Sequence, residues 1–355
     1  MSDEISRRRR AIDEIDKRIV DLLNERAAHA QAIGRLKGGA AAYRPEREAE
    51  VLRNVSAAGG GPLAPERIAA IFTEVMSACR ALEQPIAVTY LGPEGTFSEM
   101  ALHKHFGHGV QALPSASIDE VFRSVESGAV QFAVAPVENS TEGAIGRTLD
   151  LLLTTPLKVC GEVVLRVRQS LLAKSPEMRP FARVYSHAQS LGQCQSWLSQ
   201  NLPAAERIPV PSNAEGARRA AQESDACAIG PEAAAGRYGL AVVARSIEDD
   251  ARNMTRFIVL GRAEAGPTGR DRTSIVMSAP NRPGAVYELI SPFAHHGVSM
   301  SRIESRPART GQWEYVFYVD LEGHQSDAGV AKALAELKQM APFVKILGSY
   351  PAANF

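Results

Sequence analysis

One long helical pattern constrains the first part of this chain of 355 residues. Apolar residues recur every three or four positions over residues 3–37, which predicts a single helix about 50 Å long. The stripe they form contains Ile12, Ile15, Ile19, Leu22, Ile33 and Leu36. Prolines predict the starts of two shorter helices, over 45–57 and 65–83. Three helices of these lengths cannot form a compact monomer, so we expect the long helix to pack against a partner.

The pattern changes to alternating strands and helices after Pro85. Apolar runs followed or preceded by polar clusters predict strands at 86–91, 132–137, 183–186, 226–229 and 255–260. Open α/β sheets bind ligands at the carboxyl ends of their strands, so these clusters indicate a polar cleft. After a polar linker over 262–272, the predicted order is β-α-β-β-α-β, which is the ferredoxin-like arrangement. Its strands are predicted at 273–278, 299–304, 314–321 and 344–347, and its helices at 285–295 and 329–340.

Charge and composition exclude several classes of protein. Lys and Arg together number 40, as do Asp and Glu, and a net charge of zero argues against bulk binding of nucleic acid. No apolar run reaches the roughly 18 residues of a membrane span, and the N-terminus lacks the apolar core of a signal peptide. The four cysteines are far apart and show no metal or redox spacing. We therefore expect a cytoplasmic protein with reduced thiols, no metal and no membrane partner.

A basic pair lies on one side of the long helix. Arg26 occupies a stripe position, and Lys37 follows eleven residues later, which is about three turns and the same direction. Their side chains can converge on one anion, with Arg47 and Glu48 of the next helix completing the pocket. Arg9 is about 25 Å from Arg26 and on a different face, so it can reach that pocket only from another subunit. The alternative is a row of solvated charges on a helix surface.

Residues 5–83 resemble the all-helical chorismate mutase domain. The similarity is carried by Arg9 before AIDEID, and by the segments LLNER, GRLK, RPERE and IFTEVMSACRALE. In that family two chains interlock, and each pocket takes one arginine from its neighbour. The resemblance implies that Arg9 and Arg26 hold the two carboxylates of chorismate and that Lys37 donates a hydrogen bond to the ether oxygen. It also implies that Glu48 accepts a hydrogen bond from the ring hydroxyl and that Arg47 lines the pocket.

Two further positions of this pocket depart from the family. Glu83 lies opposite Lys37 at the ether oxygen, where many relatives carry glutamine. A glutamate can donate a hydrogen bond only when protonated, so the resemblance implies better mutase activity at mildly acid pH. Cys79 stands where relatives often have serine, and it completes the predicted chorismate-binding set.

Four polar motifs mark the middle of the chain: YLGPEGTFS, PVENSTEGAI, YSHAQSLGQC and NMTRF. Each alone is typical of a capped helix start or a turn. Together they resemble prephenate dehydratase over about 86–261. The resemblance implies two α/β lobes like those of periplasmic binding proteins, with the chain crossing between them near Val167 and again near Ala241.

The dehydratase resemblance also implies a chemistry, loss of hydroxide and CO2 from prephenate. Thr255 of the Thr-Arg-Phe signature is expected to donate a proton or a hydrogen bond to the departing hydroxyl. Arg256 is expected either to bind a carboxylate or to hold the loop, and His187 is either a general acid or a turn histidine. The other candidate contacts to prephenate are Asn139, Ser186 and Gln193.

The last segment resembles the ACT regulatory domain, through Pro283-Gly-Ala-Val-Tyr287 and Glu304-Ser-Arg-Pro307. The resemblance implies that L-phenylalanine binds at a dimer interface and inhibits mainly the dehydratase. The expected contacts are Gly284, Ala285, Val286, Glu304, Ser305 and Arg306. The alternative is a small structural α+β domain with ordinary turns.

These inferences combine into three domains, over 1–84, 86–261 and 273–350, in a bifunctional enzyme of phenylalanine biosynthesis that needs no cofactor. We expect a homodimer or a higher oligomer, with chorismate and prephenate as ligands. A mutase fused to a prephenate dehydrogenase is disfavoured, because no G-x-G-x-x-G follows a strand. The other alternative is a mutase fused to a two-lobed ligand-binding and ACT regulatory protein that has lost catalysis.

Overall fold

The computed structural model describes residues 2–36, 43–175, 177, 180–280, 282–308 and 315–353. The chain divides into two compact units. The first contains residues 1–86 with 106–111, and the second contains 87–105 with 112–355. Within the described ranges, no helix is both long enough and apolar enough to cross a membrane.

The first unit contains the three predicted helices. They are α1 (Ser2–Leu36), α2 (Pro45–Ala58) and α3 (Pro65–Glu83), so the predicted ends are confirmed to within one residue. Both α1 and α2 pack against α3. The apolar stripe of α1 is nevertheless exposed in the single chain, with Leu22 61% and Leu36 87% accessible. A helix with such a stripe needs a second apolar surface to cover it.

The second unit begins with a first α/β lobe. Its elements are β1 (Ala87–Leu91), α4 (Phe97–Phe106), β2 (Gln111–Ser115), α5 (Ile118–Glu126), β3 (Phe132–Asn139), β4 (Gly143–Ala144), α6 (Gly146–Thr154) and β5 (Lys158–Arg166). A second lobe follows, with β6 (Ser170–Ala173), β7 (Arg183–Ser186), α7 (Ala188–Gln193), α8 (Gln195–Asn201), β8 (Glu206–Pro209), α9 (Asn213–Ala220), β9 (Ala226–Gly230), α10 (Glu232–Tyr238) and β10 (Ala241–Ala244). The chain then returns to the first lobe as β11 (Met254–Gly261). The two lobes together are hereafter called the two-lobed unit.

Sheet pairing confirms two lobes and corrects one crossing point. The first sheet has the order β2-β1-β3-β11-β5, with β4 beside β3, and the second has the order β10-β6-β9-β7-β8. The outward crossing is at Val167, as predicted. The predicted return near Ala241 is wrong, because β10 still pairs with β6 of the second sheet through Ala244. The chain returns between Ala244 and Met254, where the Val167 N–H donates to the Asn253 carbonyl at 2.8 Å.

The segment after β3 also differs from the expectation of a strand-to-helix turn. The strand continues to Asn139 and folds back as a hairpin, in which Asn139 lies opposite Gly143 of β4. The Asn139 Oδ1 accepts the backbone N–H groups of Thr141 and Glu142 at 3.0 and 3.2 Å, which is a side-chain-stabilised turn. Gly143 has a φ of +81°, which favours glycine, and α6 begins only after this hairpin.

The C-terminal elements confirm the ferredoxin-like order. They are β12 (Asp271–Ser278), α11 (Ala285–His295), β13 (Met300–Pro307), β14 (Tyr315–Glu322), α12 (Ala328–Met340) and β15 (Phe343–Pro351), in an antiparallel sheet of order β13-β14-β12-β15. This sheet shares one hydrophobic core with the first lobe, which joins Leu149 and Ile258 to Tyr318 and Leu347. The ferredoxin-like domain is therefore packed on the first lobe.

Candidate active sites

A largely buried ion pair joins two helices of the helical unit. Glu48 of α2 pairs with Arg80 of α3, which is only 5% exposed. The Arg80 guanidinium also lies over the rings of Tyr43 and Phe106, at 5.4 and 5.8 Å from their centroids. Burial raises the pKa of Glu48, and the charges of Arg80 and Arg26 partly offset that rise. Arg26 of α1 therefore lies within electrostatic reach of Glu48.

The other residues of the predicted chorismate pocket lie in different surroundings. Glu83 packs against α1, since its Cγ lies 2.6 Å from where a Cβ on Gly34 would be. Cys79 is buried, whereas Arg47 is exposed and pairs with Glu50. Arg9 is exposed on α1, and Lys37 lies outside the described residues. Arg80 was missed by sequence reasoning, although it lies one turn before Glu83 and therefore on the same side of α3, which indicates that it belongs to the same site.

We expect replacement of Arg80 by methionine to destabilise the helical unit by about 3–5 kcal/mol at neutral pH, because it leaves the Glu48 carboxylate buried without its partner. The raised pKa of Glu48 means that the folded state holds this proton more tightly than the unfolded state does, so the free energy of unfolding decreases as pH rises above 4.5. Without Arg80 this decrease is larger, and it is recovered as pH falls and Glu48 takes up its proton. Calorimetric melting of the full chain over that pH range measures the effect. A loss independent of pH would contradict this account.

The two-lobed unit brings Thr255 and Asn139 into direct contact. They are opposite residues on the neighbouring strands β11 and β3, and the Asn139 Nδ2 donates to the Thr255 Oγ1 at 2.9 Å. The same Nδ2 donates to the Asn253 Oδ1 at 2.9 Å. The orientation of the Asn139 amide is fixed, because its Oδ1 accepts backbone N–H groups.

This contact determines what the Thr255 hydroxyl can do. Because an amide nitrogen only donates, the Thr255 oxygen is the acceptor in the bond from Asn139. The hydroxyl's own hydrogen therefore points elsewhere and can be donated to a ligand. Asn253 was not singled out as a site residue, although it is the first residue of the NMTRF motif.

The second-lobe candidates have their hydrogen bonds inside the protein. Ser186 is fully buried, and its hydroxyl lies 2.9 Å from the Asn213 Oδ1 and 3.0 Å from the Ile229 carbonyl. Gln193 accepts from the Gln169 Nε2 at 3.3 Å, beside the crossing between the lobes. His187 caps α7 by accepting the Gln189 N–H at 3.4 Å. These contacts position the lobe and favour the turn role for His187.

Arg256 follows Thr255 but belongs to a different environment. Its guanidinium donates to Glu162 at 2.8 Å, to Asp320 at 2.5 Å and to the Tyr350 hydroxyl at 2.9 Å. Burial alone would lower the pKa of this group, but Tyr350, Asp320 and Glu162 more than offset it and keep the guanidinium charged. Of its two expected roles, these contacts favour holding the structure.

The predicted phenylalanine contacts come from two segments at one end of the C-terminal sheet. Gly284, with a φ of +79°, precedes α11 together with Ala285 and Val286. Glu304, Ser305 and Arg306 lie on the edge strand β13. The end of β12 that leads to Gly284 pairs with Val316 of β14, and Val316 pairs on its other side with Arg306 of β13. Arg306 itself pairs with Asp150 of α6 at 3.1 Å.

Three family models match the chain in the same order. Residues 88–265 match prephenate dehydratase, residues 8–84 match chorismate mutase type II, and residues 273–339 match the ACT domain. The chain belongs to the prephenate dehydratase family. More particularly, it is similar over its full length to the family's bifunctional chorismate mutase/prephenate dehydratases.

Two of these relatives come from Neisseria gonorrhoeae and Stutzerimonas stutzeri. The first is 52% identical over 97% of this chain and 96% of its own length, and the second is 48% identical over 99% of each. A solved prephenate dehydratase from Arthrobacter aurescens, in complex with L-Phe, superposes with a TM-score of 0.70 at 35% identity. It covers 76% of this chain and 90% of that chain.

Proposed function

We propose that this chain converts chorismate to prephenate in its helical unit and prephenate to phenylpyruvate in its two-lobed unit. The observation that carries the dehydratase half is the Asn139–Thr255 bond, which leaves the Thr255 hydroxyl hydrogen available. Full-length similarity to bifunctional relatives supports the combination. The enzyme uses its own side chains in both steps and works in the cytoplasm, where its four buried cysteines remain thiols.

In the dehydratase step, the bond between the ring carbon and its hydroxyl breaks with both electrons going to oxygen. The carboxylate leaves as CO2, and its bonding electrons complete the aromatic ring. Thr255 donates a hydrogen bond to the departing oxygen, which leaves as water after taking up a proton. A threonine hydroxyl is too weak an acid to supply that proton alone at neutral pH, so Thr255 polarises and orients the leaving group. Asn139 positions Thr255.

In the mutase step, the protein binds a dianion in its compact conformation and stabilises charge on the ether oxygen. Arg26 and Lys37 of one chain act with Arg9 of a second copy, since guanidinium groups suit carboxylates. The exposed apolar stripe of α1 supports a dimer in which two long helices pack together. Glu48, Arg47, Cys79 and Glu83 complete the pocket.

We expect Glu83→Gln to flatten the pH profile of the mutase. Glutamine donates a hydrogen bond at any pH, whereas Glu83 donates to the ether oxygen only when protonated. The mutase kcat of the wild type should therefore depend on pH more steeply than that of the variant. Initial rates of chorismate consumption measure this, and Glu74→Gln on the same helix is the matched control. Identical profiles for wild type and Glu83→Gln would refute this role.

L-Phenylalanine is the regulatory ligand in this proposal. The ACT domain model and the phenylalanine-bound dehydratase relative support it, and the binding segments are 284–286 and 304–306. We expect phenylalanine to raise the melting temperature, because a ligand that binds the folded state stabilises it. We also expect phenylalanine to inhibit the dehydratase more than the mutase. Tyrosine is the control amino acid. Absence of both effects would refute regulation by phenylalanine.

An end-product assay tests both activities together. Purified protein is incubated with chorismate, quenched without acid, and its products are separated by chromatography, since acid alone converts prephenate to phenylpyruvate. Formation of phenylpyruvate supports both activities. Accumulation of prephenate would instead support the alternative in which the two-lobed unit only binds a ligand, and unchanged chorismate would refute the mutase.

A further inference from the structure

Four charged side chains, joined by three ion pairs, lie between the first lobe and the C-terminal sheet. Arg256 and Glu138 lie opposite each other on β11 and β3, and Arg302 and Asp320 lie opposite each other on β13 and β14. Across the domain boundary, Arg256 contacts Asp320 at 2.5 Å and Arg302 contacts Glu138 at 2.9 Å. The Arg256–Glu138 pair is 3.9 Å apart. The charges alternate in sign along the series Asp320, Arg256, Glu138 and Arg302, and these four residues are hereafter called the charge ring.

The charge ring lies directly behind the Asn139–Thr255 pair. Asn139 follows Glu138 on β3, and Thr255 precedes Arg256 on β11. Neighbouring residues on a strand point to opposite faces of the sheet. One face of this strand pair therefore carries the Asn139–Thr255 bond, and the other carries two corners of the ring. A shift of the ring moves the same two backbones that position Thr255.

The other side of the ring reaches the predicted phenylalanine segment. Arg302 lies on β13 two residues before Glu304, and alternation places Arg302, Glu304 and Arg306 on one face of that strand. Asp320 is only 5% exposed and Arg302 only 11%, so water screens these ion pairs weakly. The ring borders a cavity of about 220 Å³, which gives its side chains room to change partners.

We propose that the charge ring is the coupling element between the C-terminal domain and the dehydratase, with Arg256 and Asp320 as positioning residues for Thr255. This inference builds on the proposed inhibition by phenylalanine. Ligand binding on β13 displaces Arg302, the ring transmits the displacement through Glu138 and Asp320, and the Asn139–Thr255 pair changes its geometry. The ring does not touch the substrate.

The test compares phenylalanine inhibition of the dehydratase in full-length variants. Asp320→Asn and Arg302→Gln each break the ring, and we expect the phenylalanine concentration for half inhibition to rise at least about tenfold in each. The double variant should be no worse than either single one, because both changes open the same ring. Calorimetric titration should still detect phenylalanine binding, which separates lost coupling from a lost site.

A matched pair of tyrosines controls for general damage at the domain boundary. Tyr350→Phe removes a hydroxyl that contacts Arg256, whereas Tyr318→Phe removes one that donates to the Leu149 carbonyl. Only Tyr350→Phe should weaken inhibition, and it decides the question if the charge variants do not fold. Normal inhibition in all ring variants overturns the proposal while leaving the proposed function intact. A wild type that forms phenylpyruvate but ignores phenylalanine overturns the proposal together with the proposed regulation.

Discussion

Replacement of Thr255 by valine is expected to lower the dehydratase kcat by about 100-fold or more, which is the usual effect of removing a hydrogen-bond donor aimed at charge that develops in the transition state. Valine keeps the branched shape and suits a strand, so the fold is preserved. Asn139 keeps its acceptor on Asn253, which limits the cost of the missing hydroxyl. The loss should therefore report on the leaving hydroxyl of prephenate rather than on stability.

Two comparisons make this experiment specific. Thr255→Ser retains a hydroxyl at the same carbon and should recover most of the rate. Mutase activity of the same preparation serves as an internal control, because it belongs to the helical unit and should not change. A Thr255→Val enzyme with the wild-type rate of phenylpyruvate formation would remove Thr255 from the mechanism.

Local patterns in the sequence were sufficient for the elements of the fold. The three helices of the first unit and the order of the C-terminal domain follow from apolar periodicity and from prolines at helix starts, and both are confirmed. The hairpin after β3 was missed because its turn is held by the Asn139 side chain. Such a contact leaves no periodic signal.

Long-range contacts explain why the surroundings of the candidate sites were less predictable. Glu48 and Arg80 are 32 positions apart, and Arg256 and Asp320 are 64 apart. No pattern within a helix or a strand indicates which partner a charged residue has at that separation. The role of Arg256 stayed open for this reason, since the motif that contains it is the same whether the guanidinium binds a ligand or joins two domains.

The mutase pocket is expected to be shared between two chains, and the variants Arg9→Ala and Arg26→Ala test this directly. Each should lose at least about 30-fold in mutase kcat/KM, because removing one partner of a charge pair with a carboxylate costs about 2–5 kcal/mol. The two substitutions lie on different faces of α1, about 25 Å apart along the helix. A pocket built from both residues therefore needs α1 of a second copy.

Mixing the Arg9→Ala and Arg26→Ala variants should restore mutase activity. If the purified variants are unfolded together and refolded at equal concentrations, about half of the dimers contain one chain of each kind. In such a dimer one pocket lacks both arginines and the other has both, so about a quarter of the wild-type activity should return. A pocket formed within one chain would give no recovery.

The double variant Arg9→Ala/Arg26→Ala, mixed with wild type in the same way, supplies the reciprocal control. With shared pockets, a mixed dimer has no intact pocket, and only about a quarter of the activity of an all-wild-type sample survives. With pockets inside single chains, about half survives. The two mixtures together distinguish a shared pocket from incomplete refolding. Poor refolding lowers the activity of both mixtures, whereas a shared pocket raises the activity of the first mixture above that of the separate variants. The exposed stripe of α1, with Leu22 and Leu36 accessible in the single chain, is the surface that such a dimer would cover.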